Sequence, residues 1–340
     1  PGGKAGMRPD RATIVYANRI REAFGDVPVV VGGVEASLRR LAHYDWWDNT
    51  VRRSILLDAR ADILVYGMGE QQIVEIAQRL SKGQSLEGIK GTAIVRSTKM
   101  RSEVKGSRLK VKDFEQSVEN PCPKVSPCAS NLEPRTFNLE RGTLNVEPIF
   151  VPSYEEVKDD NKKFNLALKI IHENQDPFRG KTLAQKHGNR YVIQYPPALP
   201  LSEERLDAIY GLPFIKAPHP SYAHSGGVPG FETVKFSLIS HRGCPGQCSF
   251  CALSMHQGRI VQSRSKESLI DEALALTKRK DFKGTISDVG GPTANLYRAT
   301  CANWISKGAC PNRSCLTPGV CKSLRFGYRE SIDVYRSILR

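Results

Sequence analysis

The sequence has no apolar run of the roughly 18 residues that a membrane-spanning helix needs, although 40% of its 340 residues are hydrophobic. Its first residues, PGGKAGMRPDR, lack the apolar core of a secretory signal. We therefore expect a cytoplasmic protein without a membrane partner. The missing initiator Met and the abrupt PGGK opening favour a fragment of a longer protein.

Acidic residues are scarce relative to basic ones, 35 against 50, which gives a formal net charge of +15. Such an excess permits a nucleic acid or another anionic partner. Much of the excess is dispersed along the chain, so a solvated basic surface is the alternative interpretation.

Cysteine is not scarce, but its distribution excludes a disulfide-stapled secreted domain. The nine cysteines are odd in number, and most of them fall in short-spaced groups late in the chain. Without a signal segment, a reducing compartment and metal ligation fit this pattern better than disulfides do.

Apolar strands and helices alternate over residues 1–97, which we interpret as a Rossmann-like domain. The spacing predicts helices at 10–24, 51–59 and 67–80, with strands at 27–31 and 62–66. This alternation predicts a parallel sheet, with the loops GGVEAS and GMGE at its functional edge. Neither loop completes a G-x-G-x-x-G fingerprint, so a dinucleotide site is not supported.

Three further segments follow. Residues 98–146 are polar and proline-interrupted, and we interpret them as an irregular insertion or linker whose Cys122 and Cys128 are unligated thiols rather than a metal pair. Residues 147–230 contain a proline-rich track with short helical patterns, which predicts a connecting arm. Residues 231–340 begin with an alternating strand and lead directly into a cysteine loop.

That loop, HRGCPGQCSFC, places Cys244, Cys248 and Cys251 within eight positions. Three thiolates on a four-iron cubane leave one iron open to a substrate or cofactor. Zinc is the alternative, with His241 or His256 as a further ligand, although C-x3-C-x2-C is a poor match for zinc spacing.

With the aromatic Phe250 before its last cysteine, this motif resembles the signature of the radical S-adenosylmethionine (radical SAM) superfamily, and more closely the YgiQ-like radical SAM proteins. The resemblance covers most of the chain outside 98–146. It is carried by PGGKAGMRPDRATIVYANRIREAFGDVPVVVGGVEASLRRLAHYDWW, ILLDARADILVYGMGE, QDPFRGKTLAQKHGNRYVIQYPPALPLS, HRGCPGQCSFCALSMHQGRIVQSRS and SDVGGPTANLY.

The resemblance implies that Cys244, Cys248 and Cys251 hold a 4Fe-4S cluster that reductively cleaves S-adenosylmethionine. The resulting 5′-deoxyadenosyl radical would act on an unknown substrate, with a flavodoxin or ferredoxin as electron donor. The implied fold is α/β: a Rossmann-like, cobalamin-binding-like N-terminal part, then the start of a radical SAM partial (β/α)6 TIM-type barrel cut short at residue 340. No cobalamin is predicted, because its ligating His motif is not visible.

The resemblance also suggests cofactor-binding residues besides Phe250. Gly290 and Gly291 end a predicted second barrel strand and resemble the glycine motif that contacts the cofactor's amino group, an ordinary strand-to-helix turn being the alternative. The segment GRIVQSRS resembles the post-cluster segment of radical methylthiotransferases. In it, Arg259 or Arg264 could meet the cofactor carboxylate, unless they are surface arginines.

A second cysteine group, C-x8-C-x4-C-x5-C, resembles a complete four-ligand site for an auxiliary iron–sulfur cluster or a structural zinc, with free thiols as the alternative. Its members are Cys301, Cys310, Cys315 and Cys321. The competing function is therefore a non-enzymatic module that binds metal or nucleic acid through these cysteines and the basic surface.

Overall fold

The computed structural model describes residues 2–97, 147–293 and 295–340 of the chain. The predicted insertion at 98–146, with its two cysteines, lies outside these residues. Among the helices that are described, none combines the length and apolar character needed to cross a membrane.

The first part of the chain, here called the sheet region, runs from α1 to β8 and alternates short strands with helices. Its elements are α1 (Ala12–Phe24), β1 (Val30–Val31), α2 (Gly33–Leu38), β2 (His43–Asp45), β3 (Thr50–Arg52), α3 (Ile55–Asp58), β4 (Ile63–Val65), α4 (Glu70–Ser81), β5 (Thr92–Ser97), β6 (Ile149–Val151), α5 (Tyr154–Asp159), α6 (Asn161–Glu173), β7 (Leu183–His187) and β8 (Arg190–Gln194).

Six of these strands form one mixed sheet in the order β1-β4-β5-β8-β7-β6. The outer pairs β1–β4 and β6–β7 are parallel, whereas the three inner pairs are antiparallel. The predicted parallel pairing is therefore confirmed for the two predicted strands, β1 and β4, but the prediction of an all-parallel Rossmann-like sheet is wrong. One physical reason is that Gly188 and Asn189 form a two-residue turn between β7 and β8, and such a turn makes the flanking strands antiparallel.

The same sheet corrects the interpretation of residues 147–230 as a connecting arm. Strands β6, β7 and β8 come from this segment and extend the sheet begun by β1, β4 and β5. After β8, the chain continues through α7 (Glu203–Tyr210), a 3-10 turn at Pro220–Ser225 and α8 (Pro229–Glu232).

Neighbouring residues of a strand point to opposite sides of the sheet, and a separate apolar core covers each side. Leu64 of β4 packs in a core formed with α1, α3, α5 and α6. Its neighbours Ile63 and Val65 join a second core, in which Ile76 of α4 packs beside Ile94 and Ile193. Helices on both faces of a sheet confirm the α/β class expected from the sequence.

The last part of the chain, here called the cysteine region, runs from Ser237 to Arg340 and has shorter strands. Its elements are β9 (Ser237–Ile239), β10 (His241–Arg242), α9 (Leu253–His256), β11 (Gln262–Ser263), α10 (Lys266–Thr277), β12 (Asp288–Gly290), α11 (Ala302–Ser306) and α12 (Arg329–Ile338). Strands β9 and β12 pair in parallel, and β10 and β11 pair antiparallel.

Helix α10 begins after Ser265, whose hydroxyl accepts a hydrogen bond from the Ser268 N–H at 3.0 Å. Its Leu269 and Leu276 pack against Leu238 of β9 in a small buried cluster. Within the described residues the parallel pair β9–β12 is not extended by further strands, and no barrel is formed.

Candidate functional site

The cysteine loop leaves β10 through Gly243, whose φ of +81° is a left-handed conformation that glycine adopts without strain. A Cβ at this position would also overlap the carbonyl of Ile260. The Gly243 N–H donates to the Gln257 side-chain oxygen at 3.0 Å, and the Cys244 N–H donates to the Gly258 carbonyl at 3.0 Å. The start of the loop is therefore held against the segment that follows it.

Gly246 lies between two of the three thiols. A Cβ on Gly246 would lie 3.3 Å from the sulfur of Cys244 and 3.6 Å from that of Cys248. The Cys251 N–H donates to the Cys248 carbonyl at 3.0 Å, so these two cysteines share a single turn of backbone. The loop thus gathers its cysteines around a residue that has no side chain of its own.

The three thiols differ in exposure: Cys244 is buried, Cys251 is intermediate and Cys248 is exposed. Burial raises the pKa of the Cys244 thiol, and the neighbouring Cys248 and Cys251 raise that pKa further, against a lowering by the Gly246 backbone. A cation bound among the thiols would reverse this effect, because it favours the thiolate form.

No three Cys, His, Asp or Glu side chains of the described chain converge closely enough to share one metal ion. The histidines considered for zinc are engaged elsewhere: His241 is hydrogen-bonded to the Ser240 hydroxyl and His256 to the Ser37 hydroxyl, each at 2.9 Å. A four-iron cluster makes a different demand, because each thiolate binds its own iron.

The glycine pair lies at the same strand ends as the cysteine loop. Gly290 is opposite Ile239 in the β9–β12 pair, and its carbonyl accepts from the Ser240 N–H at 2.6 Å. A Cβ on Gly291 would fall within 2.6 Å of the His241 ring, so only glycine fits there. Phe250, by contrast, is 90% exposed and packs against nothing in the described core.

Arg264 is only 1% exposed, and its guanidinium is fully used inside the protein. Its five N–H donors are directed to the carbonyls of Ile239 and Ser268, the Ser268 hydroxyl and the carboxylate of Glu272. No donor is left for a cofactor carboxylate, which corrects that expectation for Arg264. Its role is to join β9 to α10.

Arg259 connects the cysteine loop to the second cysteine group. One terminal nitrogen donates to the Cys310 carbonyl at 2.7 Å, and the other donates to the Arg313 carbonyl at 2.9 Å and lies 3.9 Å from the Cys315 sulfur. Burial raises the pKa of Cys315, whereas Arg259 lowers it and the thiols of Cys310 and Cys321 raise it.

The two cysteine groups are neighbours in the fold. Cys244, Cys301 and Cys315 are buried in one apolar cluster. The Leu316 side chain comes within 3.7 Å of the position that a Gly246 Cβ would take. The spacing of the cysteines in the sequence indicates each group by itself and does not predict that the two groups are in contact.

Sequence reasoning also missed the residues that tie the sheet region to the cysteine loop. The Ser37 hydroxyl accepts from the Gly67 N–H at 2.9 Å and contacts His256, while Arg242 donates to Glu70 at 2.6 Å. Ser37 lies in α2 and Glu70 begins α4, the helices that follow β1 and β4, and Gly67 lies in the turn after β4. The predicted position of these segments at one sheet edge is confirmed. The sequence signal that could have identified these residues is their position just after two parallel strands, where functional residues commonly gather.

Comparison with known proteins identifies the class to which this architecture belongs. Residues 1–237 match the family described as Radical SAM N-terminal, and the chain belongs to that family. The match ends before the cysteine loop, which follows at Cys244.

Among curated proteins, the chain is similar to UPF0313 proteins. It is 46% identical over 338 residues to one from Clostridium botulinum (strain Okra / Type B1) and 44% identical over 338 residues to one from Clostridium perfringens (strain 13 / Type A). These alignments cover 99% of this chain but only 46% and 45% of the relatives, so the chain spans somewhat less than half of their length. The resemblance to YgiQ-like radical SAM proteins is confirmed.

Proposed function

We propose that this chain supplies the cluster-binding part of a radical SAM iron–sulfur enzyme, with Cys244, Cys248 and Cys251 as the ligands of a 4Fe-4S cluster. The observation that carries the proposal is the position of Gly246 between two of the thiols. When bound, the cluster and S-adenosylmethionine supply one-electron reductive cleavage of the cofactor to a 5′-deoxyadenosyl radical. The substrate is not identified.

The chain's own residues would position and shield that cofactor. The backbone of Gly290 and Gly291, at the strand ends beside the cysteine loop, offers polar groups to the cofactor's amino group. The exposed ring of Phe250, next to Cys251, offers an apolar surface that excludes water. Arg264 is not retained for this role, and the terminal nitrogens of Arg259 already bind loop carbonyls.

Anaerobic reconstitution of the chain with iron and sulfide tests the cluster. We expect this site to take up about four irons and four sulfides per chain and to give the electron paramagnetic resonance signal of a reduced cubane. A Cys248→Ala variant should bind about four fewer irons and sulfides than the wild type and lose that signal. A Ser249→Ala variant, altered at the neighbouring exposed position, should keep both. Equal iron in the two variants would contradict the assignment.

The cofactor reaction is tested in the full-length protein, because the chain covers only part of its relatives. Reduction with dithionite in the presence of S-adenosylmethionine should give 5′-deoxyadenosine and methionine, and the Cys248→Ala variant should give neither. Stoichiometric zinc without cofactor cleavage would instead favour the non-enzymatic alternative.

We also propose a second metal site at Cys301, Cys310, Cys315 and Cys321, as an auxiliary iron–sulfur cluster; a structural zinc is the alternative, and it would need these cysteines to lie closer together than they do in the described residues. The site is supported by Cys310 and Cys321, which lie near enough to Cys315 to raise the pKa of its thiol, and by the burial of Cys301 in the same apolar cluster as Cys315. Metal analysis of a Cys248→Ala protein tests it: iron or zinc should remain and should be lost on adding Cys315→Ser. The +15 charge supports nucleic-acid binding only as a secondary alternative.

A further inference from the structure

A pocket lies where the sheet region meets the segment that follows the cysteine loop. Its walls come from the loop after β4, the proline-rich segment 197–201 and residues 254–260, with further side chains from the end of α6. Of the predicted cofactor-binding residues Arg259 lines it, as does Gln247 of the cysteine loop, whereas Gly290, Gly291, Phe250 and Arg264 do not. The pocket is therefore distinct from the strand ends at which the cofactor was placed above.

Two glutamines of the pocket have a fixed amide orientation. The Gln257 side-chain oxygen accepts from the Gly243 N–H at 3.0 Å, and the Gln262 side-chain oxygen accepts from the Leu201 N–H at 2.8 Å. Because a backbone N–H can only donate, the oxygen of each amide is assigned and its NH₂ is the remaining group. Neither NH₂ group has a hydrogen-bond partner within the described residues, so both stay available as donors.

Two further donors of the pocket are buried and have no partner in the part of the chain that the structure describes: the Nε of Arg259 and the side-chain nitrogen of Gln175. The Arg259 guanidinium is bonded to two carbonyls and lies near a thiol, and it forms no ion pair with any described carboxylate. A buried donor without a partner is costly. The Arg259 side chain as a whole is partly buried, and the absence of a counter-charge adds to that cost.

The acidic residues of the pocket do not supply that counter-charge. The Asp176 carboxylate already accepts from the backbone N–H groups of Phe178, Arg179 and Ala309, at 3.0, 3.1 and 2.7 Å. Glu173 is exposed, and its nearest cation, Lys169, lies 3.9 Å away. The pocket thus offers several free N–H donors and one unpaired positive charge.

We propose that this pocket binds a small molecule through a carboxylate, which Arg259 and Gln175 receive, at a site separate from that of S-adenosylmethionine. A carboxylate accepts hydrogen bonds without donating any, and it supplies the charge that Arg259 lacks. Proline rings, Leu199 and Ile260 give the pocket apolar walls for the rest of the ligand. The inference goes beyond the proposed radical chemistry and does not depend on a loaded cluster.

Fluorine NMR of the full chain tests the proposal, with 4-fluorobenzoate as the probe and 4-fluorobenzyl alcohol as its uncharged counterpart. We expect the benzoate line to broaden on adding protein and the alcohol line to stay sharp. Gln175→Glu keeps the size of the side chain but replaces a donor with a negative charge, and it should weaken benzoate binding about tenfold or more. Gln78→Glu, on an exposed face of α4, introduces the same charge outside the pocket and should leave binding unchanged.

Arg259→Lys provides the second variant, because it keeps the charge but removes the Nε donor, and it should also weaken benzoate binding. Its circular dichroism is compared with that of the wild type to confirm the fold. Equal binding of the two probes, no benzoate binding at millimolar concentration, or equal binding by Gln175→Glu and Gln78→Glu would overturn the proposal. Displacement of 4-fluorobenzoate by S-adenosylhomocysteine would overturn the separate site and assign the pocket to the cofactor.

Discussion

The sheet region and the cysteine region build their interiors from different materials. The sheet region fills both faces of six strands with aliphatic side chains such as Leu64 and Ile193. The cysteine region has two-stranded sheets of two or three residues, and three of its buried core residues are Cys244, Cys301 and Cys315. Apolar burial is the main stabilising contribution in the first region. The second region places thiols inside its core, and if they bind a metal as proposed, that binding would be coupled to folding.

The largest effect is expected from a substitution in the apolar core of the sheet region. Leu64→Ala removes a fully buried side chain from strand β4, which is paired on both sides, and should lower the free energy of unfolding by about 3–5 kcal/mol. Urea titration followed by circular dichroism measures the loss. Ile73→Ala, on the exposed face of α4, is the control. Equal losses in the two variants would contradict a core centred on β4.

A second prediction concerns the buried ion pair between Arg264 and Glu272 in the cysteine region. Arg264→Met should cost about 3 kcal/mol, because it leaves the Glu272 carboxylate without its buried partner, although Lys216 still pairs with that carboxylate. Arg298→Met, which breaks the exposed pair with Glu203, should cost no more than about 1 kcal/mol. Urea unfolding of both variants makes the comparison, and a cost for Arg264→Met no greater than that of Arg298→Met would refute the structural role.

The third prediction concerns pH and the sheet region. His187 is buried with both ring nitrogens unpartnered among the described residues, and burial, followed by the charges of Arg53 and Arg190, lowers its pKa to about 3. In the unfolded chain His187 takes up a proton near pH 6.5. The neutral, buried His187 therefore contributes its full stabilisation above that pH, and this contribution is lost as the pH falls toward about 3. At about pH 5 the loss should be about 2 kcal/mol relative to neutral pH.

His187→Phe preserves an aromatic ring against Tyr154, on which His187 stacks at 5.6 Å, and cannot be protonated. Urea midpoints of the wild type and the variant are compared at neutral and mildly acidic pH. The wild type should lose more stability on acidification than the variant does. Parallel losses would mean that His187 does not carry the effect.

The smallest expected effect lies at the junction of the two regions. Glu70→Gln keeps the shape of the side chain but removes the charge that meets Arg242, at a cost of about 1 kcal/mol. Hydrogen exchange of the cysteine loop should become faster, because Arg242 stands two residues before Cys244. Glu75→Gln, which alters the surface pair with Arg79, should leave that exchange unchanged. The same exchange rates in both variants would show that the junction does not restrain the loop.

Local patterns in the sequence predicted the elements that depend on local physics. The apolar spacing predicted α1 and α4 within two or three residues of their observed bounds, and the apolar run predicted β4. The helix expected at 51–59 is instead β3 followed by a short α3, because Ser54 caps a helix that begins only at Ile55.

Long-range pairing was beyond those patterns. Strand β5 pairs with β8, whose register sets Ile94 opposite Ile193, and no local pattern in β5 names that partner. Cysteine spacing indicated the loop, but the Arg242–Glu70 pair joins residues 172 positions apart. Charge and residue type alone also gave no sign that all five donors of Arg264 are used internally.

The Ser37 hydroxyl of α2 contacts two other parts of the chain with one oxygen: the N–H of Gly67 in the turn after β4, and the His256 ring on α9, the short helix after the cysteine loop. One oxygen atom therefore links the edge of the sheet to α9. Tilting the sheet edge would pull on α9, and displacing α9 would pull on the sheet edge. The position of the cysteine loop thus depends in part on Ser37, which lies roughly two hundred residues earlier in the sequence than His256.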